Sequence, residues 1–380
     1  MNTYYQEPSV TVYRGHALHL KELPPESVDM CMTSPPYWGL RSYHTEPQIW
    51  DSKDGCWHEW GKELVKLQAH HAGETNPGKE GYSKDADAWS DKQGQFCCLC
   101  HAWRGELGLE PTIELYIKHL IQIFNEVKRV LKKTGTCWVN IDDSYNSAAS
   151  NQSSNLGNAV ALAEVGHRTP LHKSVPAKSL CLIPSRFALA MVENQWVLRN
   201  DIVWNKPNPM PESVKDRFTT SWEHLFFFSK SKHYFFEQQF EAMRYPDRVF
   251  NPDTSGHATS QLRDEGNRTT GGLHDGRTHY GNPELGRNMR DVWEIGTVPS
   301  PKHDGIRNFA TYPEKLCETP ILAGCPQGGV VLDAFMGSGT TLAVAKRLGR
   351  KAIGIDINEN YCKLAVKRIQ EIPIAMELVL

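Results

Sequence analysis

The chain has 380 residues, enough for one large core with insertions or for two domains. Its 42 Lys and Arg are balanced by 44 Asp and Glu, so a nucleic-acid surface has to be local rather than spread over the molecule. It contains no apolar run of about 18 residues, and Met1 to Pro8 lacks the charged-then-apolar pattern of a signal peptide. A membrane span is therefore not expected, and the ten Cys point to reduced thiols or metal ligands in a cytoplasmic protein.

Residues 9 to 40 read as a strand, a helix-like stretch and a second strand. That second strand, Val28-Asp29-Met30-Cys31-Met32, runs into Thr33-Ser34-Pro35-Pro36-Tyr37-Trp38. Residues 41–110 are rich in Gly, His, Asp, Lys and Trp without sustained periodicity, and read as an insertion. Helical spacing returns over 112–133, where Leu120, Ile121, Phe124, Val127 and Leu131 share a face and Lys132-Lys133 suit a helix C-terminus. Thr136 to Ile141 reads as a strand, and 146–177, rich in Ser, Asn, Gly and Ala, as a loop. Pro184 to Asn194 reads as a helix with Pro in its first turn, and Trp196 to Trp204 as a strand. His224 to Ser229 and His233 to Phe236 look like two aromatic strands around Lys230-Ser231-Lys232. A second irregular region covers 238–303, and Leu316 to Leu322 is helical. Val330 to Phe335, Thr341 to Leu348, Lys351 to Ile357 and Asn358 to Ile369 then alternate strand, helix, strand, helix. This predicts an α/β sheet with crossover helices.

Two motifs follow buried-strand runs. Asp333-Ala334-Phe335-Met336-Gly337-Ser338-Gly339-Thr340-Thr341 follows Gly329 to Leu332 and opens a helix. Glycines there allow a tight turn and close approach of a ligand to the backbone, and free N–H groups at a helix start favour an anionic group. The next strand ends at Asp356, 23 residues after Asp333, where a carboxylate can accept from ribose hydroxyls. A plain strand-to-helix turn is the competing reading, but a Walker loop is excluded because no Lys follows the second glycine. In the other motif, Pro35 and Pro36 fix the backbone and remove two N–H donors, leaving carbonyls that only accept. An exocyclic amine needs such acceptors, and Tyr37 can stack on a base and hold it in line with a methyl donor. A turn or a proline-rich ligand segment is the alternative for this motif taken alone.

Ser34-Pro35-Pro36-Tyr37 placed before the glycine loop resembles the β class of S-adenosylmethionine-dependent DNA amino-methyltransferases. Gly135-x-x-Trp138-Val139-Asn140, Asp143-Ser144-Tyr145, Trp204-x-Lys206-x-x-Pro209 and Arg217-x5-Glu223-His224 are similar to other blocks of that class, and Phe309-Ala310-Thr311-Tyr312-Pro313 resembles its motif X. The resemblance implies an α/β Rossmann-like class I methyltransferase fold, with a mixed, mostly parallel sheet and two irregular insertions. One antiparallel strand would come from the aromatic hairpin. It places the catalytic half at 1–40 and 111–237, a target-recognition region at 238–303 and the cofactor half at 304–380. It also implies that Asp333, Phe335, Gly337, Gly339, Thr340, Thr341 and Asp356, with Phe309 and Ala310, hold S-adenosylmethionine, and that Ser34, Pro35, Pro36 and Tyr37 carry the transfer. Ala334 stands where the family usually has Pro, and Gly15-His16 where it often has Gly-Asp beside the adenine.

Ser rather than Asp ahead of Pro-Pro-Tyr goes mostly with cytosine in this family. The implied activity is N4-cytosine methylation of flipped-out bases in double-stranded DNA, with N6-adenine methylation as the alternative. RNA or protein-amide methylation and an inactive DNA-binding protein are further alternatives; the protein-amide group usually shows Asn-Pro-Pro-Tyr. Asp143 reads either as a second polar group near the base or as a solvent-facing strand end. A separate restriction endonuclease is a candidate partner whose existence the sequence leaves open; this chain shows no nuclease motif. The sequence leaves the recognition site and the oligomeric state open.

Cys56-Trp57-His58 and Cys97-Cys98-Leu99-Cys100 supply a Cys-x-His pair and a Cys-x-x-Cys pair. Cys56, His58, Cys97 and Cys100 make a four-ligand set suited to structural Zn²⁺ in the 41–110 insertion, with Cys98 and His101 as spares. Incidental reduced thiols are the alternative. For DNA contact the candidates are Arg244, Arg263, Arg268 and Arg277, with Arg248, Arg287 and Arg290, in the Arg-bearing region 238–303. Lys206, Lys215 and Arg217 are candidates for phosphate. A solvated loop with local ion pairs is the competing reading of that region.

Overall fold

The structure is a computed structural model that describes residues 1–39, 42–43, 45–67, 90–146, 174–242, 286–298, 302–303, 306–307 and 312–372. It divides into two units, Met1–Phe236 with Asp291–Leu380, and Glu237–Arg290. In chain order the elements of the first unit begin with β1 (Asn2–Gln6), β2 (Val10–Arg14) and β3 (Val28–Thr33). The insertion contributes β4 (Gln48–Trp50), β5 (Leu64–Leu67), β6 (Ser90–Phe96) and β7 (Trp103–Gly105). Next come α1 (Ile113–Val130), β8 (Leu131–Ile141), α2 (Ile183–Glu193), β9 (Val197–Asn205) and β10 (Trp222–Ser229). The second unit holds the two-stranded pair β11 (Phe240–Glu241) and β12 (Arg287–Asn288). The chain closes with β13 (Val292–Glu294), β14 (Lys302–His303), β15 (Ile306–Arg307), α3 (Glu314–Gly324), β16 (Val330–Asp333), α4 (Thr340–Arg347), β17 (Lys351–Asp356) and α5 (Glu359–Gln370).

Among the described residues, nine strands form one sheet in the order β1-β2-β17-β16-β3-β8-β10-β9-β13. Five of its pairings are parallel and three antiparallel. β3 is buried at every position, as a central strand covered on both faces must be. It lies parallel to β16, with Val331 opposite Met30 and Leu332 opposite Cys31. The loops that carry the two motifs therefore leave the same edge of the sheet, although their sequences are far apart.

α1 begins at Thr112, whose side chain accepts from the Leu115 N–H, and buries Tyr116, Leu120, Phe124 and Val127 on one face. It ends a turn earlier than its spacing suggested. Leu131 turns extended and enters β8 directly, so Lys132 and Lys133 sit on a strand, and Lys132 pairs with Asp29 at 2.7 Å. The helix-like stretch before β3 forms turns instead.

The aromatic pair of strands is half right. β10 is antiparallel to both β8 and β9, but His233 to Phe236 is not a strand. Phe235 N–H bonds Thr134 O at 2.9 Å, and the Tyr234 and Phe236 rings pack on Phe227. Their hydrophobic spacing reflects packing across a bend. The insertion holds more order than its composition suggested, with a four-stranded sheet in the order β4-β7-β6-β5. No described helix is long and apolar enough to cross a membrane. The loop expected over 146–177 falls largely outside the described residues.

Asp143 has a defined role in this fold. Its carboxylate accepts from the backbone N–H groups of Leu182 at 2.9 Å and Ile183 at 3.0 Å, at the start of α2. It caps a helix, where a carboxylate also meets the positive end of the helix dipole. Asp143→Ala is expected to lower unfolding stability by about 1 kcal/mol, read from the shift of a urea midpoint.

Candidate active site

The two motifs are joined by a buried polar knot. Thr33 Oγ1 donates to Asp333 Oδ1 at 2.6 Å, Tyr312 OH donates to Asp333 Oδ2 at 3.1 Å, and Phe335 N–H is shared between Thr33 Oγ1 and Asp333 Oδ1. Thr341 Oγ1 sits against Tyr312 OH and reaches Met32 O at 3.4 Å. Burial raises the Asp333 carboxyl, while these hydroxyls and the Phe335 N–H oppose the rise. Asp333 and Thr341 are fully buried and do not line the cavity; they set the distance between the two loops.

Above the knot lies a cavity of ≈ 150 Å³. Ser34 to Tyr37 line it from one motif, and Ala334 to Ser338 with Thr340 from the other. Ile355 to Ile357, at the end of β17, and Gly15 to Ala17 also line it. Tyr43, Thr45, Gln48, Glu106 and Leu107 close it from the insertion, a wall that irregular composition had concealed.

The two glycines of the loop serve different ends. Gly337 (φ +49) has no atom within 4 Å of where a Cβ would lie. A Cβ on Gly339 (φ +79) would lie 2.9 Å from Ala365 Cβ, so Gly339 permits α4 to pack on α5 and is not part of the lining. Ser338 Oγ is buried and has no partner among the described residues. Asp356 accepts from Gly337 N–H at 3.0 Å and Asn358 N–H at 2.8 Å, and burial nevertheless pushes its carboxyl up to about 7. His16 is held neutral, its pKa brought down to about 4 by burial and by His19 and His119, and its Nδ1 accepts from Leu18 N–H. It fills the place where an acidic residue was looked for.

Around Tyr37 the structure gathers residues that motif spacing alone left unconnected. Tyr37 OH donates to Glu223 Oε2 at 2.8 Å and lies 3.1 Å from Asn140 Oδ1, while Ser34 Oγ lies 3.4 Å from the same hydroxyl. Asn140 Nδ2 donates to Glu223 Oε2 at 2.9 Å, and Lys206 Nζ bonds Glu223 Oε1. Burial, with Glu223 and Asp142 nearby, holds the Tyr37 phenol well above its ordinary pKa, so it stays a donor. Burial and Glu223 also push the Asp142 carboxyl up to about 7. Glu223 and Asn140 were visible in the sequence only as members of motif-like blocks. The Pro36 carbonyl is already bonded by Tyr116 OH at 2.7 Å, so that acceptor belongs to the scaffold.

Two of the residues expected to contact phosphate have partners within the chain. Lys206 is mostly buried, ion-paired with Glu223 and 4.9 Å from the Trp204 ring centroid. Arg217 pairs with Glu212 at 2.6 Å and lies 4.0 Å from the Tyr145 ring centroid. Lys206 thereby helps fix Glu223 beside Tyr37. Lys215 is exposed. Arg287 and Arg290 share Glu241. Arg244, Arg248, Arg263, Arg268, Arg277, Phe309 and Ala310 lie outside the described residues.

In the insertion, the ligand atoms of Cys56, His58, Cys97 and Cys100 lie within 4.8 Å of one another. Cys56 Sγ is 3.8 Å from Cys97 Sγ, and Cys100 Sγ is 3.4 Å from His58 Nδ1. The other nitrogen of His58, Nε2, meets Ser52 Oγ at 3.1 Å. Burial opposes ionisation of Cys97, but the N–H groups of Cys100 and Leu99 and the side chains of His58 and Cys100 bring its thiol down to about 6. Cys98 is exposed and outside this group, as is His101.

With this geometry the comparisons are specific. Residues 28–367 match the N6_N4_Mtase family, described as DNA methylase. The chain belongs to this family. It is an S-adenosylmethionine-dependent DNA amino-methyltransferase. It is 37% identical over 269 residues to the Type II methyltransferase M.SmaI of Serratia marcescens, covering 70% of this chain and 77% of that protein. It is 33% identical over 362 residues to M.Cfr9I of Citrobacter freundii, covering 95% and 87%. The solved PvuII DNA methyltransferase (cytosine-N4-specific) shares the fold, with a TM-score of 0.53 at 18% identity over 97% of this chain and 88% of that one.

Proposed function

We propose that this methyltransferase modifies the N4 amine of cytosine in double-stranded DNA, the base being turned out of the duplex into the cavity beside Tyr37. The observation that carries this reading is Ser34: it heads Pro35-Pro36-Tyr37, lines the cavity and lies within reach of the Tyr37 hydroxyl. The fold read this way is a Rossmann-like class I methyltransferase with 41–110 and 238–303 as insertions, the latter for target recognition. The Type II names of its relatives support a restriction–modification setting with a separate endonuclease.

The cavity fits S-adenosylmethionine by its own chemistry. Phe335, Met336 and Ile357 offer apolar walls for an adenine, Asp356 an acceptor for ribose hydroxyls, Gly337 an open backbone, and Ser338 a buried hydroxyl lacking a partner among the described residues. When bound, the cofactor supplies a methyl group made electrophilic by a cationic sulfur. The chain's own task is positioning. Glu223, fixed by Lys206 and Asn140, holds the Tyr37 hydroxyl and so the ring that stacks on the base. Ser34 offers an acceptor oxygen to the amine. A hydroxyl is a weaker acceptor than a carboxylate and polarises the amine less, so the target base depends on this position; in the family Ser here goes mostly with cytosine. Mass spectrometry of nucleosides from methylated DNA is expected to show N4-methylcytosine, and N6-methyladenine alone would reverse the assignment. Tyr37→Ala is expected to lose more activity than Ser34→Ala, because stacking is worth about 1–3 kcal/mol per base.

Asp356 gives the cofactor site a pH dependence. A carboxyl with its pKa raised to about 7 is protonated below that pH and loses acceptor capacity. Hydroxyl donors favour the ionised form, so binding lowers the pKa and releases a proton. Affinity for S-adenosylmethionine is expected to rise between pH 6 and pH 8, on either side of that pKa (about 7), and level off above it. Calorimetry in buffers of differing ionisation enthalpy reads the proton release, which Asp356→Asn is expected to abolish.

The Cys/His cluster is read as a structural Zn²⁺ site. Zn–S bonds of about 2.3 Å in a tetrahedron put two sulfurs about 3.8 Å apart, which is the Cys56 to Cys97 separation of 3.8 Å. Ser52 at His58 Nε2 is the partner that leaves Nδ1 free to ligate. Elemental analysis is expected to find about one zinc per chain, from the four-ligand count, and Cys56→Ser or Cys100→Ser to lose it. A folded, metal-free wild type would remove this reading.

A further inference from the structure

We propose that the Cys/His insertion is a working part of the active site, and that Glu110 is the positioning residue through which it sets the Ser34–Gly39 loop. This rests on the reading of that loop as the methyl-transfer loop.

Glu110 and His119 are both fully buried, with Glu110 Oε1 2.9 Å from His119 Nδ1. His119 Nε2 lies 3.3 Å from Asp51 Oδ2. The imidazole is sandwiched between Trp50 and Trp103, at 4.4 Å and 5.3 Å between ring centroids. Those tryptophans end β4 and begin β7, the strands adjoining the Cys/His cluster; Cys97 N–H bonds Ala102 O, one residue before Trp103. Asp51 also takes Gln122 Nε2 at 2.6 Å and Lys118 Nζ at 2.9 Å, fastening the insertion to α1.

On its other side Glu110 grips the return segment of the insertion. Its Oε2 accepts from Gly108 N–H at 2.7 Å, and its carbonyl accepts from Trp38 Nε1 at 2.9 Å. Gly108 O accepts from Gly39 N–H at 2.8 Å. A Cβ on Gly108 would lie 3.2 Å from Tyr37 O and 3.3 Å from Pro36 Cβ, so backbone lies directly on backbone. The insertion thus reaches the transfer loop through Gly108, and Glu110 fixes Gly108.

A buried ionisable cluster is a poor source of stability, since volume-matched apolar groups usually do as well. Its distinctive property is direction. One Glu110 carboxylate fixes an imidazole and a loop N–H at once, and a loop displaced by about 1 Å costs on the order of 100-fold in rate.

The test compares three variants of the full, metal-loaded enzyme by kcat and KM on DNA, calorimetric Kd for S-adenosylmethionine, zinc content and urea midpoint. Glu110→Gln keeps both bonds, its oxygen on Gly108 N–H and its amide on His119 Nδ1, and is expected to retain most of kcat. Glu110→Met keeps the volume and loses both bonds. The double variant Glu110→Met, His119→Leu removes the buried pair as a unit and leaves no charge stranded. Both Met variants are expected to lose kcat by tenfold or more, on the scale of loop displacement, with KM for DNA, zinc content and cofactor Kd within about twofold of wild type. The double variant is expected to keep the wild-type midpoint. Wild-type kcat in the double variant would overturn the proposal, as would a fall in kcat that only tracks lost zinc or stability. Methyl transfer by the wild type, measured alongside, reports separately on the underlying reading.

Discussion

Thr33 and Asp333 are 300 positions apart in the chain and 2.6 Å apart in the fold. That hydrogen bond, made possible by the parallel pairing of β3 with β16, is the constraint on which the site depends. A carboxyl group buried this completely must be fully partnered. Thr33, Tyr312 and the Phe335 N–H supply those partners, one from each segment that has to meet. The cost of desolvating Asp333 is thereby converted into a fixed spacing between the glycine loop and the transfer loop.

The same logic recurs at two more buried acidic residues, Glu223 and Glu110. Glu223 gathers Tyr37 from a loop, Asn140 from β8 and Lys206 from just past the end of β9. The Glu110 carboxylate gathers His119 and Gly108, and its backbone carbonyl takes Trp38 Nε1. The transfer loop is held between them, with Tyr116 bonding the Pro36 carbonyl beneath. Two prolines stiffen the loop locally, but its orientation comes from these three contacts. Hydrophobic packing gives the sheet its stability; the buried polar groups give the site its geometry, because only hydrogen bonds specify direction.

Three polar residues share one physical circumstance. Lys206, Arg217 and Asp143 are polar residues near the site, and sequence position suggested contacts with DNA or base. In the fold each is consumed by a neighbour: Glu223, then Glu212 with the Tyr145 ring, then the start of α2. Polar side chains at a sheet edge have first to satisfy the loops they stabilise. His233 to Phe236 misled for a related reason, since aromatic spacing measures burial and not pairing.

The sequence by itself determined which chemistry the chain can carry. Ser34-Pro35-Pro36-Tyr37 and the loop from Asp333 to Thr341 are local, and their backbone demands are written in Pro and Gly. The alternating final segments marked β16, α4, β17 and α5, and the Cys-x-His and Cys-x-x-Cys pairs marked the four clustered side chains. Tertiary structure alone decided what each residue of those motifs does. It separated Gly337, open to the cavity, from Gly339, pressed on Ala365. It joined Asp333 to Thr33 and Tyr312, and brought Glu223, Ser338 and the wall from Tyr43 to Leu107 to the cavity or its edge. Those assignments depend on pairings across long stretches of chain, and a buried polar group shows its role only when its partner is in place.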